Sequence, residues 1–220
     1  MSNLTVIKKT LFHEAATTSA ILTEPANSFH YNDDEVSTLP DIAPTHPEYK
    51  KWNLAKEYCR RLTAYILQKG NVINILVTGC ANGWLAAQLS KHTSGLVMGV
   101  DDDDQLLQQA KRVFSKIENL QFHKGSIDNA SIQQKKFDII VLSKCSGEKN
   151  SMAGLIKKAL QKSSLAGEVH IIAASDHQPQ LLKSLTAFQY KILHRPAYFF
   201  CGYSFIKNPF YHIVVKNPYL

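Results

Sequence analysis

Gly79, Gly83 and Asp101 have the residue types and the spacing needed to hold a nucleoside. They stand in the stretch Val72–Asp104, VINILVTGCANGWLAAQLSKHTSGLVMGVDDDD. An apolar run enters a glycine-bearing turn, a helix-like segment follows, and a second apolar run ends on an acid. Glycine in such a turn lets backbone approach a ligand that a Cβ would strike. A carboxylate 22 residues beyond the first glycine can accept hydrogen bonds from ribose hydroxyls. Asp103 or Asp104 is expected to cap the helix that follows, because acids favour the first turn. Metal chemistry has no comparable pattern. The nine histidines show no HxH or HxxxH spacing, and Cys59, Cys80, Cys145 and Cys201 form no CxxC pair. Neither a zinc site nor a disulfide framework is expected.

These residues need strands and helices to position them, and the text alternates accordingly. Pro47 opens a helix with Trp52, Ala55, Cys59, Leu62 and Ile66 on one face, ending near Gly70. Strands are expected over 72–77, 96–100, 120–123, 138–142 and 168–173. Helices are expected from about Gly83, on the face carrying Leu106, Leu107, Ala110, Val113, Phe114 and Ile117, on that carrying Met152, Leu155, Ile156, Ala159 and Leu160, and over 178–187. Such alternation predicts a parallel sheet covered on both faces. The segments 190–194, 198–206 and 211–215 are β-rich and aromatic, with a turn at Lys207-Asn208-Pro209. They predict a terminal hairpin whose antiparallel strand closes the sheet edge. The fold class is therefore α/β, a three-layer Rossmann-like parallel sheet with an antiparallel C-terminal edge strand.

Charge divides the chain. Residues 1–48 hold seven acids and two lysines, whereas residues 49–220 hold 23 basic and 11 acidic residues, a net +12. Residues 1–47, with Pro25, Pro40, Pro44 and Pro47, are expected to form an acidic extension with at most one short helix, near 6–20, able to fold over a cleft as a lid. Residues 48–220 are expected to form the main domain. No apolar run reaches the roughly 18 residues that cross a bilayer, and the opening MSNLTVIKKTLFHE lacks the apolar core of a signal peptide. The expected location is cytoplasmic. The basic body can attract nucleic acid or acidic small molecules. Its charges are scattered and mostly Lys, which fits phosphate recognition less well than Arg.

ILVTGCANGWLA resembles the first motif of class I S-adenosylmethionine-dependent methyltransferases, usually hhDhGxGxG. Gly79 and Gly83 match the outer glycines, Ala81 replaces the middle one and Val77 the leading acid. The same letters resemble the TGxxxGxG of short-chain dehydrogenases, with Leu85 in place of the last glycine. The text further on separates the two. Only 11 residues lie between Gly125 and Phe137, short for the dozen or more of a crossover connection. FHKGSIDNASIQQKKFDIIVLS is similar to the methyltransferase pattern, no NNAG follows strand 4, and the YxxxK at Tyr203–Lys207 falls in the expected hairpin. The resemblance covers roughly residues 48–215 and implies S-adenosylmethionine as cofactor. It implies that backbone around Gly79, Cys80 and Ala81 borders the methionine part, with Gly83 completing the turn. Asp101 would bind both ribose hydroxyls, the Ile127 N–H would reach the adenine ring, and Ser143 would lie near the methionine amino group. Asp102 falls where the family has an apolar residue against adenine, and Ser126 where many members have Asp or Asn.

The acceptor is less legible. Methyl transfer at a sulfonium depends on aligning the acceptor lone pair and needs a base only when the acceptor loses a proton. Ser143-Lys144-Cys145-Ser146 departs from the (D/N/S)PP(Y/F/W) of amino-methylating enzymes and lacks the PC of cytosine-C5 enzymes. Cys80 and Cys145 are expected near the site. Tyr49, Trp52, His177, Tyr198, Phe199, Phe200 and Tyr203 are the acceptor-side candidates. The expectation is a methyltransferase acting on a small molecule. The alternatives are an RNA- or protein-directed methyltransferase, a degenerate non-catalytic relative (Val77, Ala81, Asp102), and an NAD(P)-dependent short-chain dehydrogenase-like protein.

Overall fold

Seven strands pair into one sheet in the order β3-β2-β1-β4-β5-β9-β6. They are β1 (Ile75–Thr78), β2 (Val97–Asp101), β3 (Leu120–Lys124), β4 (Phe137–Leu142), β5 (Ser163–Ala174), β6 (Tyr190–His194) and β9 (Phe210–Lys216). The computed structural model describes residues 33–38, 59–70, 73–129, 132, 134–143, 152–174, 178–194, 197–201, 204–208 and 210–216. All of them belong to the unit Tyr31–Leu220; the other unit, Met1–His30, lies outside the described residues.

The inner strands are mostly apolar because both faces are covered. Every residue of β1 and β2 is buried. Parallel pairing sets Ile75 beside Val97 and Ile139, and Thr78 beside Val100 and Leu142, so the carboxyl ends of β1, β2 and β4 finish level. One face packs Phe137, Ile140, Ile156 and Val169 into a core layer. The other packs Leu62, Ile66, Val77 and Leu107. The covering helices are α2 (residues 59–67), α3 (Trp84–Ser90), α4 (Asp104–Val113), α5 (Met152–Lys162) and α6 (Gln178–Leu185). Asp103 is the N-cap of α4, accepting from the N–H groups of Gln105 and Leu106 at 3.0 and 3.1 Å, as the acid run predicts. No helix among the described residues is long and apolar enough to cross a membrane.

A six-residue helix, α1 (Asp33–Thr38), falls within the stretch expected to be an acidic extension. Val36 is fully buried, and Asp33 receives Arg112 Nη2 at 2.7 Å, Arg112 Nε, and Gln109 Nε2 at 3.2 Å from α4. The Arg112 guanidinium holds the Asp33 carboxyl below the usual range.

The end of the chain confirms an antiparallel C-terminal strand and refines its place. β9 runs antiparallel to both neighbours and lies one position in from the edge, between β5 and β6. The segment expected as one strand over 198–206 is two, β7 (Ala197–Cys201) and β8 (Ser204–Asn208), which pair with each other as a separate hairpin. The reach of β5 is also longer than its apolar text, starting at Ser163.

On the face beneath α2 the sheet carries a polar group that the apolar pattern hides. Glu168 and His170 of β5 and His212 of β9 are 3%, 0% and 4% exposed. The Tyr65 hydroxyl donates to Glu168 Oε2 at 2.6 Å and Lys69 Nζ to Oε1 at 2.9 Å. His170 Nδ1 lies 3.0 Å from His212 Nε2. Burial alone would raise the Glu168 pKa; the nearby His170 ring and the hydrogen bonds from Tyr65 and Lys69 outweigh it and hold the group at about 2. A folded pKa below the ordinary 4.5 gives stability that is complete above pH 4.5 and drains as pH falls toward 2. Glu168→Gln is therefore expected to flatten the urea-unfolding profile across that window, at a neutral-pH cost on the order of 2–3 kcal/mol. A Glu168→Gln profile parallel to that of the natural chain would refute this.

Candidate functional site

The turn between β1 and α3 takes an unusual backbone path, with glycine at two of its three left-handed positions. Gly79, Ala81 and Gly83 have φ of 65°, 49° and 78°, the left-handed region that glycine enters without penalty. Cys80 N–H continues the ladder by donating to the Val100 carbonyl at 3.1 Å, and Gly83 N–H donates to the Cys80 carbonyl at 2.9 Å. The turn is thus fastened to the end of β2.

Asp101 completes that fastening. Its Oδ2 accepts the Ala81 N–H at 2.8 Å and its Oδ1 the Asp103 N–H at 3.0 Å. The side chain is 3% exposed, and one bond per oxygen leaves acceptor capacity on each. From the other side, the Ser143 hydroxyl at the end of β4 approaches the carbonyls of Thr78 and Gly79 at 2.6 and 2.8 Å. One hydroxyl proton is shared between two carbonyls, so the Ser143 oxygen keeps its lone pairs.

Between these groups lies an open cleft. β1 contributes Thr78 and Gly79, β2 contributes Val100, Asp101 and Asp102, the loop after β3 contributes Gly125, Ser126 and Ile127, and α5 contributes Leu155. Its position, at the carboxyl ends of parallel strands on either side of β1, is where open α/β sheets receive ligands. Asp102 is exposed, and Ser126 accepts the Asp128 N–H at 3.3 Å. The Ile127 side chain is 2% exposed in the core below.

Five of the nine site residues proposed from sequence therefore line the cleft: Gly79, Asp101, Asp102, Ser126 and Ile127. The other four are not part of that lining. Ala81 presents its N–H to Asp101, and Ser143 braces the turn. The Cys80 side chain is turned into the core, where a Cβ on Gly99 would meet its sulfur at 2.9 Å. Burial and the Asp101 charge push its thiol well above the usual range, so it is no nucleophile. Gly83 is needed for packing: a Cβ there would lie 2.5 Å from the Phe122 ring and 2.8 Å from Ala110 Cβ. Thr78, Val100, Gly125 and Leu155 were missed; Gly125, with φ 114°, was the one carrying a local signal. Tyr49, Trp52, Cys145, His177 and Tyr203 lie outside the described residues, as do the side chains of Tyr198, Phe199 and Phe200.

Residues 75–162 match the family described as methyltransferase domain; no curated protein matches the chain. Magnesium protoporphyrin IX methyltransferase from Synechocystis PCC 6803, crystallised with bound S-adenosylmethionine, superposes with a TM-score of 0.61 at 13% identity, over 86% of this chain and 92% of that one. N-methyltransferase NodS from Bradyrhizobium japonicum WM9 gives 0.59 at 17% identity, over 76% and 97%. Precorrin-6y C5,15-methyltransferase from Geobacter metallireducens GS-15 gives 0.55 at 12%, over 71% and 87%. Residues 75–162 thus match the methyltransferase-domain family, and the chain has the fold of the class I S-adenosylmethionine-dependent methyltransferases.

Proposed function

We propose that this protein binds S-adenosylmethionine in the cleft at the ends of β1 and β2 and transfers its methyl group to a small-molecule acceptor. The observation that carries the reading is the Asp101 carboxylate. It is fixed by two backbone N–H groups at 2.8 and 3.0 Å, borders the cleft, and keeps lone pairs for a pair of ribose hydroxyls. The glycine turn leaves room for the methionine tail, and Ser126 and Ile127 form the opposite lip for the base. The oxygens of Ser143 and Gly79 make a neutral acceptor corner that suits the ammonium of an amino acid tail. When bound, the cofactor would supply an electrophilic methyl on a sulfonium, open to displacement by an acceptor lone pair. The protein's contribution is alignment and exclusion of water. A small acceptor is favoured because two proteins of similar structure are named for porphyrin-type substrates.

Titration calorimetry with S-adenosylhomocysteine tests the cofactor assignment, with saturable binding expected and absence of heat at millimolar ligand overturning it. Ser143→Ala is expected to weaken S-adenosylhomocysteine roughly tenfold, the worth of one hydrogen bond to a charged group. It should alter binding of 5′-methylthioadenosine, which lacks the amino acid tail, less than about twofold. Equal losses for both ligands would leave Ser143 as a turn brace alone.

The net +12 of residues 49–220 supports a second reading, an RNA acceptor. That reading requires RNA binding that falls steeply with salt; binding that is absent or indifferent to salt removes it.

A further inference from the structure

The buried cluster under α2 takes no part in the cleft, and its chemistry is specific. Two imidazoles touch inside a sheet: His170 and His212 are 3.0 Å apart nitrogen to nitrogen, with ring centroids separated by 5.2 Å. The far nitrogen of His170, Nε2, has no hydrogen-bond partner among the described residues and stands 3.7 Å from Glu168 Oε2. Glu168 in turn ties down α2 through Tyr65 and Lys69, and Tyr65 packs edge-on to His170 at 5.1 Å. The cluster therefore joins three elements that are far apart in sequence: α2, β5 and β9.

The proton inventory shows what such a cluster is sensitive to. A neutral imidazole carries one N–H. Placing it on His170 Nε2 aims it at the carboxylate and leaves Nδ1 to accept from His212 Nε2–H. One further proton can be carried without placing two hydrogens face to face across the contact. A second cannot, because both facing nitrogens would then bear hydrogens across 3.0 Å. The charges around the pair oppose uptake as well. Among the described residues Glu168 is the one anion in the group, facing Lys69 and Lys216 at 2.9 and 3.8 Å. β4 offers only Ile139 and Val141 beside them. Burial lowers the His170 pKa, Glu168 pulls it back, and Lys69 adds to the depression. Once unfolded, both histidines are free to protonate near their ordinary range.

We propose that the His170–His212 pair and Glu168 form a pH-operated latch that seats α2 and β9 on the sheet at neutral pH and releases them in mild acid. Protons taken up below about pH 6.5 favour states in which the pair is apart, so opening begins at β9 and α2. The half of the sheet that carries the cleft, β1 to β3, has no member of the cluster and stays closed. The latch is a property of the fold and does not depend on the cofactor assignment.

Hydrogen exchange at pH 7.5 and 5.5, corrected for the intrinsic pH dependence of exchange, tests this on the full chain. Amides of 59–67 and 210–216 are expected to lose at least tenfold more protection at pH 5.5 than those of β2 and β3. His212→Gln keeps a hydrogen-bonding group but cannot take the proton, and is expected to abolish that regional difference. Uniform loss across the sheet, no loss, or the same loss in His212→Gln would overturn the latch. Imidazole ¹⁵N spectra of the natural chain give a reading that does not depend on the variant folding. The two buried rings are expected to stay neutral until exchange rises, and to titrate together with it. Independent titration of either ring at an ordinary histidine value, with exchange unchanged, would also overturn it.

Discussion

Asp101→Ala is expected to lose S-adenosylhomocysteine binding by more than about a hundredfold and to lower the melting temperature at the same time. The two effects have separate origins. Loss of binding comes from the lone pairs that face the cleft. Loss of stability comes from the Ala81 and Asp103 N–H groups, which now donate to the carboxylate at 2.8 and 3.0 Å. Leaving two such donors without an acceptor costs about 1–3 kcal/mol each. For a chain of this size that is at least about 5 °C in Tm. Asp101→Asn separates the contributions. Its single carbonyl oxygen can satisfy one N–H while its NH₂ opposes the other, so it should lie between the two in stability. Asp102→Ala is the control, because Asp102 borders the same cleft but is exposed; it should leave Tm within about a degree. Binding measured well below every Tm isolates the ligand effect. Asp101→Ala that binds as tightly as the natural chain would end the ribose assignment. An unchanged Tm would end the clasp.

The second large effect is expected at Gly83. Alanine there meets two obstacles. The φ of 78° costs an L-residue about 1–2 kcal/mol. The new Cβ would fall 2.5 Å from the Phe122 ring and 2.8 Å from Ala110 Cβ, adding about 1–3 kcal/mol of overpacking. Gly83→Ala should thus destabilise by roughly 2–5 kcal/mol. Gly99 abuts the same ring, its missing Cβ lying 2.7 Å from Phe122, so Gly99→Ala should behave similarly without the φ strain. Phe122→Leu makes the discriminating partner. In a double-mutant cycle it should recover the overpacking share of Gly83→Ala and leave the backbone share untouched. Additivity of the two substitutions would show that the ring is not the obstacle.

Gly83 also shows how sequence and structure divide the information. Its place in a glycine turn was legible, and so was the possibility of a close approach. What approaches was not, because Phe122 and Ala110 come from elements whose distance to the turn is set by the whole sheet. The alternation of apolar runs made the sheet and its covering helices legible, since burial on both faces leaves no other pattern. Asp101 was legible as a carboxylate closing β2. Its grip on Ala81 was not, since it depends on the left-handed turn that only the assembled strands define. Glu168 and His170 read as members of an ordinary strand. Their partners lie 103, 99 and 42 residues away, and no local periodicity reports such pairs. The aromatic text from Tyr190 onward announced strands without saying which would be neighbours, so the separate β7–β8 hairpin could not be foreseen.

The order β5-β9-β6 has a consequence for the way the protein is made. β6 is synthesised before β9, yet it borders no strand of the large sheet except β9. While the chain is emerging from the ribosome, β6 has nothing to pair with, and β5 presents an open edge. Both vacancies are filled in a single event, when residues 210–216 slide between them. Assembly of this half must therefore wait until residues 210–216 have been made, and a pause just upstream of residue 210 would leave two unsatisfied strand edges exposed to aggregation.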